Sequence, residues 1–159
     1  MKKNFDWKVM LGTGTVILGI AVIILIGIYN INDLKEARKA EATLKNLREL
    51  RIALEKYYTL TKDYPDLAKD GAKDNLKILD FKTPTGETIS FAEIYGRNSI
   101  PKTPENERVN SSNEVYNTND FRNGTNIGGW NYDYSGRTGE IHANLPFNVF
   151  SQNMNWCEH

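Results

Sequence analysis

The chain has 159 residues, with 20 lysines and arginines balanced by 20 aspartates and glutamates. Cancelling charge leaves no electrostatic case for a nucleic-acid partner. The lone Cys157 rules out an internal disulfide, and with only His142 and His159 beside it a metal cluster has too few ligands.

Val9 to Tyr29 carries no charge and no proline, and isoleucine, leucine and valine dominate it. As a helix this run is roughly 30 Å long, the thickness of a bilayer's hydrocarbon core. Lipid leaves every backbone amide to be satisfied inside the helix, so residues 9–29 read as a transmembrane helix. A cleaved signal sequence would have a shorter apolar run and a small-residue cleavage site, and neither is seen. The flank 1–8 carries Lys2, Lys3 and Lys8, which places it on the cytoplasmic side and the remainder outside the cytoplasm.

Helix propensity continues through 30–60 without glycine or proline. Leu34, Ala37, Ala40, Leu44, Leu47, Leu50, Leu54 and Tyr58 recur at three- and four-residue spacing, which marks one apolar face. A single rod of about 50 residues, apolar in its first half and amphipathic in its second, is the economical expectation. Tyr57, Tyr58, Tyr64 and Pro65 end it, since the residue before proline disfavours helix.

Residues 61–159 read as a β-rich globular part. Leu76–Phe81 is a short apolar run, Pro84-Thr85-Gly86 a turn, and Ser90 to Glu93 has the spacing of a capping box opening a short helix that ends near Gly96. The stretch 97–129, asparagine-rich and nearly free of aliphatics from Pro101 on, is expected to be a long loop with little core. Trp130, Tyr132 and Tyr134 then alternate with polar residues, as do Ile141, Ala143 and Leu145, and residues 135–139 between them have turn composition. That hairpin should lay its aromatic face on Leu44, Leu47, Leu50 and Leu54, with His142 exposed on the other face. Pro146–His159 holds enough apolar residues for a final strand, ending in a mobile tail with Cys157 and His159.

Three pieces, in this order, resemble the type IV pilin-like proteins and are most similar to the pseudopilins of type II secretion systems. They are the apolar helix running into an amphipathic one, the exit Leu50-Arg-Ile-Ala-Leu-Glu-Lys-Tyr-Tyr to Tyr64-Pro65, and the hairpin Gly128-Gly-Trp-Asn-Tyr-Asp-Tyr to Thr138-Gly139-Glu with Asn144. The resemblance implies an α+β fold, a long N-terminal helix packed on a small antiparallel sheet. It also implies a non-enzymatic subunit of a secretion or pilus-like machine, whose partners are the bilayer and other pilin-like subunits. The start departs from the family pattern. No glycine precedes Phe5, and Val9 stands where the family has a glutamate, which implies that the lysine-bearing start is retained. The resemblance raises a loop calcium site near Glu114 and Asn117–Asp120, yet regular calcium-loop spacing is missing, and no metal or cofactor is expected. The alternative class is an anchored binding or sensory module that borrows this scaffold and never polymerises.

Overall fold

The computed structural model describes the chain from Trp7 to His159, with side chains from Leu18 onwards. The expectations for residues 1–6, and for the side chains of Lys8 and Val9, lie outside these described residues.

Helix α1 runs unbroken over Trp7–Thr61, 55 residues, or about 80 Å at the standard rise. No glycine or proline stands between Tyr29 and Tyr64 to break its amide ladder. It stops where Lys62 turns into the left-handed region at φ 60°. There the Lys62 amide donates to the Tyr58 carbonyl at 2.8 Å, and the Thr61 hydroxyl donates to the Tyr57 carbonyl at 2.9 Å. Pro65, three residues on, cannot rejoin a ladder.

Everything else packs on the C-terminal half of α1. A 3₁₀ turn at Leu76–Leu79 leads into a two-residue hairpin, β1 (Phe81–Lys82) with β2 (Thr88–Ile89). The expected turn sits between them, with Gly86 at φ 89° and its amide bonded to the Thr83 carbonyl. Helix α2, Phe91–Tyr95, also falls where the spacing placed it. Ser90 caps it without a side-chain bond, so the capping-box pairing does not form. The defining feature is the C-cap, Gly96 at φ 75°, whose amide returns to the Ala92 carbonyl.

The second sheet has the order β3 (Val115–Asn117), β4 (Trp130–Tyr132), β5 (Ile141–Ala143). The expected hairpin is present, with Trp130 opposite Ala143 and Tyr132 opposite Ile141. The sheet is mixed, not antiparallel throughout, because β3 pairs with β4 in parallel. That third strand comes from the stretch 97–129 expected to be loop. The same stretch buries Ile100, Thr103 and Val109 and closes a bridge between Thr103 and Ser112. Few aliphatics do not mean no core when a buried hydroxyl finds partners: the Thr103 Oγ1 accepts from the Gly129 amide at 2.9 Å.

The C-terminal stretch corrects two further expectations. Val149–Ser151 is a 3₁₀ turn and not a strand. Phe150, Trp156 and Cys157 are buried, so the C-terminal segment is packed as far as Cys157, and only Glu158 and His159 beyond it are exposed. Phe150 and Trp156 meet edge to face at 5.6 Å.

Candidate interaction surface

The rod divides into a bare half and a covered half. From Leu18 to Leu34 every large apolar side chain is exposed, among them Ile23 and Leu25. By length and composition the described helix from Leu18 onwards is long and apolar enough to cross a membrane, and it stands near the N-terminus.

In the covered half the buried positions are Ala40, Thr43, Leu47, Leu50, Ala53, Leu54 and Tyr57. The expected face was therefore right in its centre and wrong at its flanks. Leu47, Leu50 and Leu54 are buried as expected, but Leu44 is 37% exposed, Tyr58 39% and Leu34 53%. For Leu44 the reason is phase: at about 100° per residue it is turned roughly 100° from the centre of the stripe, where Thr43 falls. Tyr58 shares the angle of the buried Ala40, and its ring stacks outward on Tyr64. The regular 3-4-3-4-3 run from Ala40 to Tyr57 was the available signal, and it was obscured because Thr43 is not apolar. Its hydroxyl turns back to the Lys39 carbonyl at 2.9 Å and leaves the methyl for packing.

The elements lying on α1 are α2, the 149–151 turn, β5 and β2. The sheet thus approaches the rod through its edge strand, with β4 next in order behind β5. Trp130 and Tyr132 are fully buried, in the same hydrophobic cluster as Leu47, Leu50 and Leu54. Arg51 explains how an edge can face a helix. Its guanidinium donates to the Ile141 carbonyl through Nε at 3.2 Å and Nη2 at 2.8 Å, and Nη2 also reaches the His159 carbonyl at 2.6 Å. A cationic fork thereby occupies acceptors on β5 and on the C-terminal segment. The partial burial this requires lowers the Arg51 pKa, against the opposing field of Glu140. Sequence reading missed Arg51, which looks like one more charge on a solvated helix.

The aromatic exit forms a clasp. Tyr58 stacks on Tyr64 at 4.6 Å, and Tyr64 lies over Gly139, where any Cβ would run into its ring. The Tyr132 hydroxyl donates to the Pro65 carbonyl at 2.9 Å, and Trp130 Nε1 donates to the Pro101 carbonyl at 2.8 Å. Tyr57 donates to the Leu79 carbonyl at 3.1 Å. Burial, reinforced by the fields of Asp63 and Asp80, pushes the Tyr57 hydroxyl up to about 12. Tyr134 is only half-buried.

The second face of the sheet is polar and equally buried, which corrects the placing of His142 at the surface. Phe121 covers the imidazole at 4.5 Å, and Nε2 meets Glu140 at 2.8 Å. Asn144 is the hub of this face. Its Nδ2 donates to Thr125 Oγ1 at 2.7 Å and to the Gly128 carbonyl at 3.1 Å, while its Oδ1 accepts the Asn126 amide at 2.8 Å. Cys157 packs against the same layer, and burial raises its thiol pKa.

The oxygens weighed for calcium are engaged separately. Glu114 pairs with Lys73. Asn117 Oδ1 accepts from the amides of Tyr134 and Ser135, pinning the hairpin turn. Asp120 caps the 3₁₀ turn at Phe121–Asn123. Among the described residues no group of three or more His, Cys, Asp or Glu gathers.

Apolar surface on α1 is exposed along its first half from Leu18 and on the uncovered side of its second half, where Leu44, Ile52 and Leu60 stand among charges. No protein-family model matches the chain, and neither the curated proteins nor the solved structures contain a match to it.

Proposed function

We propose that this protein is a non-enzymatic, single-pass, membrane-anchored subunit with a pilin-like architecture, similar to the pseudopilins of type II secretion or type IV pilus-like machines. Its N-terminus lies in the cytoplasm and its head outside it. One observation carries the reading. A single uninterrupted helix passes from an apolar half, bare from Leu18 onwards among the described residues, into a half that packs one side on a mixed sheet and leaves the other side open. That arrangement works by packing. The anchor holds the rod in lipid, and the open side, with Leu44, Ile52 and Leu60, meets neighbouring subunits. The exit at Tyr64-Pro65 and the Gly128–Asn144 hairpin add the sequence likeness.

Cysteine crosslinking in native membranes tests it. In a Cys157→Ser background, Ile24→Cys and Ile52→Cys should each give dimers or adducts with other anchored subunits. A second reading, an anchored binding or sensory module that never assembles, is favoured by the absence of any acidic residue between Val9 and Tyr29. An amino terminus buried in an apolar bundle would need such a partner. Monomers alone at both cysteine positions would select the second reading and refute the first.

A further inference from the structure

At the membrane-side end of the head, a groove of about 970 Å³ opens between two distant parts of the chain. One wall is α1 from Asn32 to Lys39; the other is built by Glu105–Arg108 and Asn148–Ser151. The helix rise sets its height. Lys35 and Lys39 stand about 9 and 15 Å beyond Tyr29 along the axis. The headgroup layer occupies about 5–8 Å outside the hydrocarbon core, and long basic side chains reach back several ångströms towards it. The groove therefore opens at headgroup level.

Its lining carries both signs of charge. Lys35, Arg38 and Arg108 supply cations, and Glu105 and Glu107 supply anions, while Glu36 and Lys39 close on each other at 2.8 Å. Among the described residues no carboxylate pairs with Lys35, Arg38 or Arg108. The Arg108 guanidinium makes only long bonds, 3.5 Å each, to the carbonyls of Phe147 and Asn148. A simple anion would meet the two glutamates and a metal ion the three basic groups. A zwitterion with phosphate and ammonium a short linker apart satisfies both. Below the groove, Leu25, Ile28 and Ile31 are exposed along α1, and the Phe147 ring is exposed beside Arg108, so apolar surface is available for acyl chains.

We propose that this groove holds the headgroup of an amine-bearing zwitterionic phospholipid, its phosphate on Arg108, Arg38 and Lys35 and its ammonium on Glu105 and Glu107. The proposal rests on the reading of α1 as a membrane anchor.

Native mass spectrometry of the full chain in mild detergent, titrated with phosphatidylethanolamine, phosphatidylcholine or phosphatidylglycerol, tests it. Phosphatidylethanolamine should be retained best, because three ammonium hydrogens can bond the glutamates and a trimethylated amine cannot. Arg108→Glu and Glu105→Lys should each lower that retention about tenfold, the scale of one charge-assisted contact. Arg122→Glu, an exposed change outside the groove, should leave it unaltered. Equal retention of all three lipids, preference for phosphatidylglycerol, or an equal loss with Arg122→Glu would each overturn the site. Alkaline extraction of the same protein from membranes separates the two readings. Release there removes the anchor and this site together, whereas a retained protein without headgroup preference removes this site alone.

Discussion

Between Leu18 and Leu34, α1 exposes leucine, isoleucine and valine on every side, whereas between Ala40 and Tyr57 the same helix buries one stripe and presents charge elsewhere. In the first half apolar composition is the same on every side, so orientation distinguishes nothing. In the second half phase decides, because protein touches one side only. Leu44 and Leu47 are the same residue three positions apart, and they have opposite fates. A leucine's worth in this rod is therefore a property of its angle.

The largest expected effect breaks the first half. Ile20→Arg together with Ile24→Arg puts two charges at the bilayer centre, each costing about 2.5–3.5 kcal/mol on insertion scales. The doubly substituted protein should leave membranes in an alkaline wash, with the head still folded by near-ultraviolet circular dichroism. Retention would mean that something other than lipid holds this half.

The next sharpens the second half. Leu50→Ala removes a fully buried side chain and should cost about 3–4 kcal/mol, while the half-turned Leu44→Ala should cost less than about 1 kcal/mol. Denaturant unfolding of the full chain in detergent measures both. Equal losses would show that the stripe is phased differently.

The clasp at the end of the rod comes next. Gly139→Ala forces a side chain onto the Tyr64 ring at φ 69° and should cost about 2 kcal/mol or more. Gly86→Ala, at φ 89° with open space around it, should cost only about 1 kcal/mol, the backbone term alone. If the two costs agree, Tyr64 moves aside freely and the clasp is loose.

The smallest effect concerns the tyrosines beneath it. Tyr132→Phe removes the bond to the Pro65 carbonyl and should cost about 1 kcal/mol. Tyr57 is held neutral by burial, with its pKa raised from 10.0 to about 12. A pKa raised in the folded state gives a stabilisation that is complete below pH 10 and is lost as pH rises from 10 towards 12. Urea midpoints should fall across that window, and less steeply in Tyr57→Phe. A flat profile would place Tyr57 in water.

Strong local patterns were legible. The unbroken run from Val9 to Tyr58 announced one rod, and alternation in Trp130–Tyr134 and Ile141–Leu145 announced the hairpin and its pairing. Tyr64-Pro65 was visible as the helix exit and Gly139 as part of the hairpin turn, but that the two meet was not. Arg51 and Thr43 stayed hidden for a shared reason. A polar residue on a helix looks solvated until its acceptor is known, and the Ile141 carbonyl lies 90 positions along the chain from Arg51.

The amino-acid sequence by itself determined the apolar first half of the rod, the rod's length, its stop before Pro65 and the hairpin that follows, since each depends on neighbours a few residues away. The tertiary structure alone decided which leucines are buried, that Val115–Asn117 joins the sheet in parallel, and that His142 and Cys157 lie inside. Those outcomes depend on groups far apart in the chain. A parallel strand has no turn to declare it, and a polar side chain is buried only where a distant loop, such as the one carrying Phe121, closes over it.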